Sequence, residues 1–244
     1  MTGENSQAVQ LFQLKNAGSF VPVVRREDGC AVTFYGGDQA WFKTRVGRYS
    51  GCGAVAAADI FAYLALQNPA MKSLFENDSP EISVDAFLAH MDAVIKFVAP
   101  LSIPGTDIPY GGLTSLPKFA RNCEEYASSR GIIAKCSFFS GADTGFERTV
   151  EIVSEQLSRD NPVALLIMQN RKMKKIQYTD AYGRPAESDM RFHWVAITAL
   201  RKTPDKATIE VSSEGGRATL DFGDVWIGRE SVLGVHGIAY LELP

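Results

Sequence analysis

An α+β fold, with a helical half followed by a mostly antiparallel sheet half, is what this sequence predicts, and three observations carry the prediction. Residues 53–66 read GAVAAADIFAYLAL, an Ala- and Leu-rich run with no Pro and no internal Gly. It is too long for a strand and reads as a largely buried helix. Further helical patterns occupy the middle of the chain. The last third instead carries short apolar or alternating runs bounded by turn residues, the mark of strands. Helices first and strands after is the α+β order.

Taken in sequence, the first fifty residues read as irregular β, with short apolar runs at 20–24 and 30–35, the second closed by Gly36 and Gly37. Ser83 signals a helix over 84–98, ended by Pro100 and the loop SIPGTDIPYGG. Thr114 or Ser115 caps a helix to about Arg130, which Gly131 terminates. A strand is expected over 132–139. An amphipathic helix over 146–159 follows, through Phe146, Val150, Val153 and Leu157. Strands are expected at 162–168, 193–200, 208–212, 217–222 and 235–243. Residues 182–191 read as a polar, mobile loop, and the whole span between Met168 and His193 as a candidate lid. Residues 104–112 form a lesser candidate for substrate contact.

The 244 residues are 45% hydrophobic and 22% charged, with a net charge of −3. Nothing in that balance invites nucleic acid or an anionic membrane. The basic cluster Arg171, Lys172, Lys174 and Lys175 reads as a solvated loop. No stretch has the form of a secretory signal, and no apolar run is long enough to span a bilayer. The cytoplasm is therefore the expected compartment, and the initial Met speaks against a processed fragment. Oligomeric state is left open by the sequence.

The four cysteines show neither a CxxC pair nor Cys/His metal spacing, so free thiols, no metal and no cofactor are expected. Cys52 stands apart from Cys30, Cys123 and Cys136. It sits in YSGCG, where a glycine-rich turn runs straight into the Ala-rich helix. Unpaired N–H groups at a helix start favour a thiolate, and the Cys52 backbone N–H is placed to meet an oxyanion beside the sulfur. Gly51 and Gly53 would let a substrate backbone approach. A small buried residue at a tight turn is the plainer reading. Of three histidines, His90 falls within a helix and His236 in the last strand. His193 opens the strand HWVAITAL, where an imidazole held at a cleft edge serves as a base.

The run GCGAVAAADIFAYL, then HWVAITAL, then IEVSSEGG resembles the papain-like cysteine peptidases of bacteria, especially the compact double-glycine-leader type. The resemblance spans roughly residues 45–226, and only the Cys and His motifs are specific. It implies a single papain-like domain over 1–244, with a helical part at about 50–160 and a sheet part at about 161–244 joined by the N-terminal strands. The central helix would start at the Cys and pack on the sheet. It implies peptide bond hydrolysis on a peptide or protein substrate, with Cys52 as nucleophile and His193 as general base. Trp194 would pack in the sheet core or wall the cleft as a substrate contact.

Two departures stand out. The third catalytic position, usually Asn or Asp, aligns with Ser212, with Glu214 as the alternative and Asp224 also in reach. The Gln that supplies the second oxyanion donor about six residues before the Cys is replaced by Val46. Gln39 is too distant in sequence to be carried over, while Arg48 and Tyr49 are nearby donors. A non-catalytic binding module on the same fold is the alternative reading.

Overall fold

The structure, a computed structural model, describes residues 9–77, 79–168, 174–227 and 236–242. Three N-terminal strands come first: β1 (Gln10–Gln13), β2 (Pro22–Glu27) and β3 (Cys30–Tyr35). The short helix α1 (Arg45–Ser50) then leads directly into α2 (Cys52–Gln67). Strand β4 (Ile82–Ser83), helix α3 (Val84–Val94), the small ribbon β5 (Leu101–Ser102) and β6 (Pro109–Gly111), and helix α4 (Leu116–Ser129) follow. Then come β7 (Cys136–Ser140), α5 (Phe146–Ser158), β8 (Val163–Ile167), β9 (Lys175–Thr179) and β10 (Pro185–Asp189). The chain closes with β11 (His193–Lys202), β12 (Ala207–Ser213), β13 (Gly216–Asp221), α6 (Phe222–Ile227) and β14 (Gly237–Leu241).

The main sheet runs β10-β9-β13-β12-β11-β8-β14-β7, antiparallel throughout. Strand β11 is its axis. One edge of β11 takes β12; the other takes β8 along 193–197 and β1 along 199–202, end to end. Residues 193–200 are buried without a break, as expected for a strand covered on both faces. Helix α2, buried from Cys52 to Leu64, lies across β11 and β8. The α+β order expected from the sequence is therefore present, with the central helix beginning at Cys52 and packed on an antiparallel sheet.

The helix starts follow local chemistry. Ser83 caps α3 by accepting from the Ala86 N–H, and Ser115 caps α4 by accepting from Lys118 N–H. Three features differ from the sequence expectation. The polar stretch 182–191 carries the second strand of a β-hairpin: β10 pairs with β9, and β9 joins the sheet edge through Arg217 and Thr179. Its residues are largely exposed on both faces, so composition hid the strand pattern. Of the basic cluster, Lys175 belongs to β9 and pairs with Glu187, while Arg171 and Lys172 lie outside the described residues. The N-terminal strands divide: β1 joins the main sheet, whereas β2 and β3 form a separate sheet with β4. Residues 132–135 precede β7 as irregular chain. No helix among the described residues is long and apolar enough to cross a membrane.

Candidate active site

Cys52 is the first residue of α2, with Gly51 as its N-cap. No side chain caps this end, so its first N–H groups remain available. The sulfur is nearly sealed, with Cys52 at 7% exposure and His193 at 6%. Both line a narrow slot of about 10 Å³ with Gln39, Asp59, Ser213 and Glu214. That slot shares Gln39, Cys52, His193 and Glu214 with a wider cleft of about 450 Å³, bordered by Tyr49, Gly112 and Phe192. The structure thus brings Cys52 and His193 to one cavity from opposite ends of the resemblance.

The hydrogen bonds fix which ring nitrogen faces which partner. His193 Nε2 lies 2.8 Å from Ser213 Oγ and 3.8 Å from Glu214 Oε1. Nε2 is thus the ring nitrogen engaged at the β12 end of the slot. The Cys52 thiol meanwhile donates to the Phe192 carbonyl at 3.7 Å. Phe192 holds a φ of 56°, in the left-handed region that bulky residues avoid.

Ser212 does not hold the imidazole. Its hydroxyl lies 2.6 Å from the Tyr35 carbonyl and 2.8 Å from Asp59 Oδ2. The reason is strand parity. Ser212 pairs with Ala196 and so shares its sheet face. His193 is an odd number of residues from Ala196 and projects from the other face, where Ser213 meets it. Glu214, with a φ of 52°, and Gly215, with a φ of 66°, form the tight turn between β12 and β13. Asp224 lies elsewhere, in a cavity with Phe146 and Lys202.

Packing keeps Gly51 and Gly53 small. A Cβ on Gly51 would fall 2.4 Å from the Gly47 carbonyl oxygen, and one on Gly53 would meet the Trp194 indole at 3.2 Å. Trp194 is buried, stacks on Phe119 at 4.0 Å between ring centroids, and donates to the Leu113 carbonyl. It is both a core residue and a wall of the slot. Arg48 turns away, donating to the Phe42 and Lys43 carbonyls, and Tyr49 is 70% exposed at the cleft mouth. Val46 lies on α1, its N–H bound to Asp107.

The residue that sequence spacing passed over is Gln39. A one-turn helix, Gln39–Trp41, carries it to the slot beside Cys52, with Asp38 accepting from Ala40 N–H as the cap. Gln39 Oε1 is buried there with no hydrogen-bond partner among the described residues. No spacing rule would have found it, because α1 intervenes and folds the chain back.

Burial governs the electrostatics. It pushes the Cys52 thiol up to about 11, against the backbone N–H groups of Trp194, Gly53 and Cys52, which favour the thiolate. It pushes the His193 imidazole down to about 4, with Asp189 opposing weakly. In this closed site both groups are neutral at pH 7, whereas the helix terminus alone suggested a thiolate. Glu214 is raised to about 8, first by burial and then by the charge of Asp38. Burial raises Asp38 with it, so the two carboxyls together, rather than Glu214 alone, favour the protonated form beside the imidazole. Among the described residues no group of three or more His, Cys, Asp or Glu side chains converges to hold a metal ion.

No family model matches the chain, and no curated protein matches it. Among solved structures, it is similar to UfSP from C. elegans, with a TM-score of 0.46 and 11% identity, covering 100% of this chain. The chain spans 36% of the length of that protein. At this level the likeness bears on neither activity nor site residues.

Proposed function

We propose that the protein is a thiol-dependent amide hydrolase, a cysteine peptidase acting on a peptide or protein substrate. The observation that carries this is the slot itself: a Cys at a helix start and a His at a strand start share it, with the ring's Nε2 already held by Ser213. The thiol proton passes to His193 Nδ1 as the sulfur attacks the carbonyl carbon, forming the S–C bond. The Cys52 backbone N–H and the Gln39 side-chain amide are the donors for the resulting oxyanion. The imidazolium then returns its proton to the leaving amine, and water releases the acyl group. Because both partners are neutral at rest, proton transfer accompanies attack rather than preceding it. Within the peptidase class, the resemblance to the compact double-glycine-leader enzymes favours a peptide substrate.

A second reading is favoured by the raised thiol and lowered imidazole: a binding module that retains the fold without turnover. One experiment separates the two. The full chain is mixed with p-nitrophenyl acetate, and the burst of nitrophenol and the acylated peptide are followed in wild type, Cys52→Ala and His193→Ala. A peptidase site gives a burst with the acyl group on Cys52, absent in Cys52→Ala and slowed about a hundredfold in His193→Ala. Acylation that ignores His193, or none at Cys52, leaves the binding module.

A further inference from the structure

Asp59 is the only charged residue of α2, amid Ala, Val, Ile, Leu and aromatic neighbours. It is 1% exposed. A carboxyl so placed is costly unless it is neutral or its hydrogen bonds are complete. Its Oδ1 accepts from the Gly37 N–H at 2.7 Å, and its Oδ2 lies 2.8 Å from Ser212 Oγ. The same hydroxyl lies 2.6 Å from the Tyr35 carbonyl oxygen. A serine hydroxyl owns one proton, and a carbonyl owns none. Without a second proton that one would be split between two acceptors in a three-centre bond, whereas a carboxyl proton gives each contact its own. The oxygens are packed under bare backbone: a Cβ on Gly36 would fall 2.5 Å from Asp59 Oδ2 and 2.6 Å from Ser212 Oγ.

We infer that Asp59 is a protonated carboxylic acid at rest and a positioning residue for the Cys52 site, donating to Ser212 while Ser212 donates to the Tyr35 carbonyl. What it positions rests on the proposed activity; its protonation does not. Each partner leads to a component of the site. Gly37 leads through Asp38 to Gln39, the oxyanion donor. Ser212 precedes Ser213, which holds the imidazole. Asp59 itself lies about two turns along α2 from Cys52, with Val55 and Ala56 lining the slot between them. One acid thus ties the donor loop and the strand end to the nucleophile's helix.

The surroundings agree. Burial raises the acid to about 7, outweighing its contacts with Gly37 and Ser212, which act to lower it. Titratable groups sharing the slot with it are Cys52 on its own helix, His193 from β11 and Glu214 from the β12–β13 turn; Asp38 lies beyond Gly37 and Tyr63 one turn along α2. His90 reaches the neighbouring Ala58 carbonyl from α3, and the Tyr35 phenol turns away to the Ala17 carbonyl. Both histidines are held near 4 by burial, so neither supplies a cation that would favour the carboxylate. Ionisation above about pH 7 would replace a donor with a second acceptor facing Ser212, and the site would loosen as pH rises.

Infrared spectra of the full chain test the protonation. They are recorded in a Glu214→Gln background, since Glu214 titrates in the same range. At pH 6 the carbonyl band of a buried carboxylic acid is expected; it disappears with Asp59→Asn and fades as pH rises through 7. A spectrum at pH 6 without that band overturns the inference. Should Asp59→Asn not fold, Ser212→Ala takes its place: losing the acceptor moves the band to higher frequency, and an unmoved band overturns the inference.

Positioning is read from the pH profile of Cys52 acylation by p-nitrophenyl acetate. Asp59→Asn, which keeps a donor and an acceptor, holds the wild-type rate within about threefold and loses the alkaline decline, while Asp59→Ala falls about a hundredfold. A decline that persists in Asp59→Asn, or an unchanged Asp59→Ala, overturns the positioning role. If wild type itself does not acylate at Cys52, the proposed activity fails and the positioning role with it, and the infrared result alone decides the protonation.

Discussion

Replacing Gly36 by Ala tests the packing under the site most directly. Gly36 has a φ of 93°, and its missing Cβ leaves room for Asp59 Oδ2 and Ser212 Oγ, both within 2.6 Å of where that Cβ would sit. Forcing an L side chain into left-handed backbone costs about 1–2 kcal/mol. Displacing a buried oxygen from its hydrogen bond adds about 1–3 kcal/mol. The sum is about 2–5 kcal/mol, a large part of a typical stability of about 5–15 kcal/mol. For a chain of this size, about 3 kcal/mol lowers the thermal midpoint by about 6–12 °C. Gly29 supplies the control. It has a φ of 82° with nothing within 4 Å of its missing Cβ, so Gly29→Ala carries backbone strain alone. Thermal unfolding of both variants isolates the contact contribution as their difference. If Gly36→Ala proves no more damaging than Gly29→Ala, the oxygen pair is not packed as described, and the account of Asp59 goes with it.

Two further outcomes are expected. Phe192→Gly relieves about 1–2 kcal/mol of left-handed strain at the turn before β11 but removes a partly buried ring packed on the core and frees the unfolded chain, so the urea midpoint falls; a higher midpoint would show that the strain outweighs the packing. His193 is held near 4 in the fold, below its ordinary value of about 6.5. The unfolded chain therefore binds the extra proton first, and the contribution of His193 to stability falls as pH drops from about 6.5 toward 4. Asp59 and Glu214, raised to about 7 and about 8, act in the opposite sense, costing stability as pH climbs above the ordinary carboxylate range. The stability difference between wild type and His193→Gln should accordingly shrink as the solution is acidified through that window, and a pH-independent difference would rule out a buried neutral imidazole.

Much of the framework was legible where local composition left no choice. An Ala-rich run without Gly or Pro is a helix in nearly any context, and the unbroken apolar stretch of β11 belongs at a sheet centre. Helix α1 was hidden because Gly47 interrupts it; a Cβ there would fall 2.6 Å from the Phe42 side chain, so packing rather than propensity put the glycine in place. At the site, Cys52 and His193 are marked by their positions at element starts. The choice of Ser213 over Ser212 depends on strand register, which no single segment encodes. Gln39 depends on a chain reversal, and the neutral state of the thiol depends on how deeply the finished fold buries it.

The joining of β1 to β11 has a consequence for how the molecule comes into being. Gln10 pairs with Lys202 and Gln13 with Ala199, so the earliest described strand docks on one of the last. On the ribosome the chain emerges N-terminus first. The helix bearing Cys52 is therefore made long before the strand bearing His193, and β1 waits for its partner while every element between them is made. Contacts so distant in sequence close slowly. A nascent or truncated chain lacking β11 has Cys52 but not His193, and the cavity is assembled only when β11 arrives.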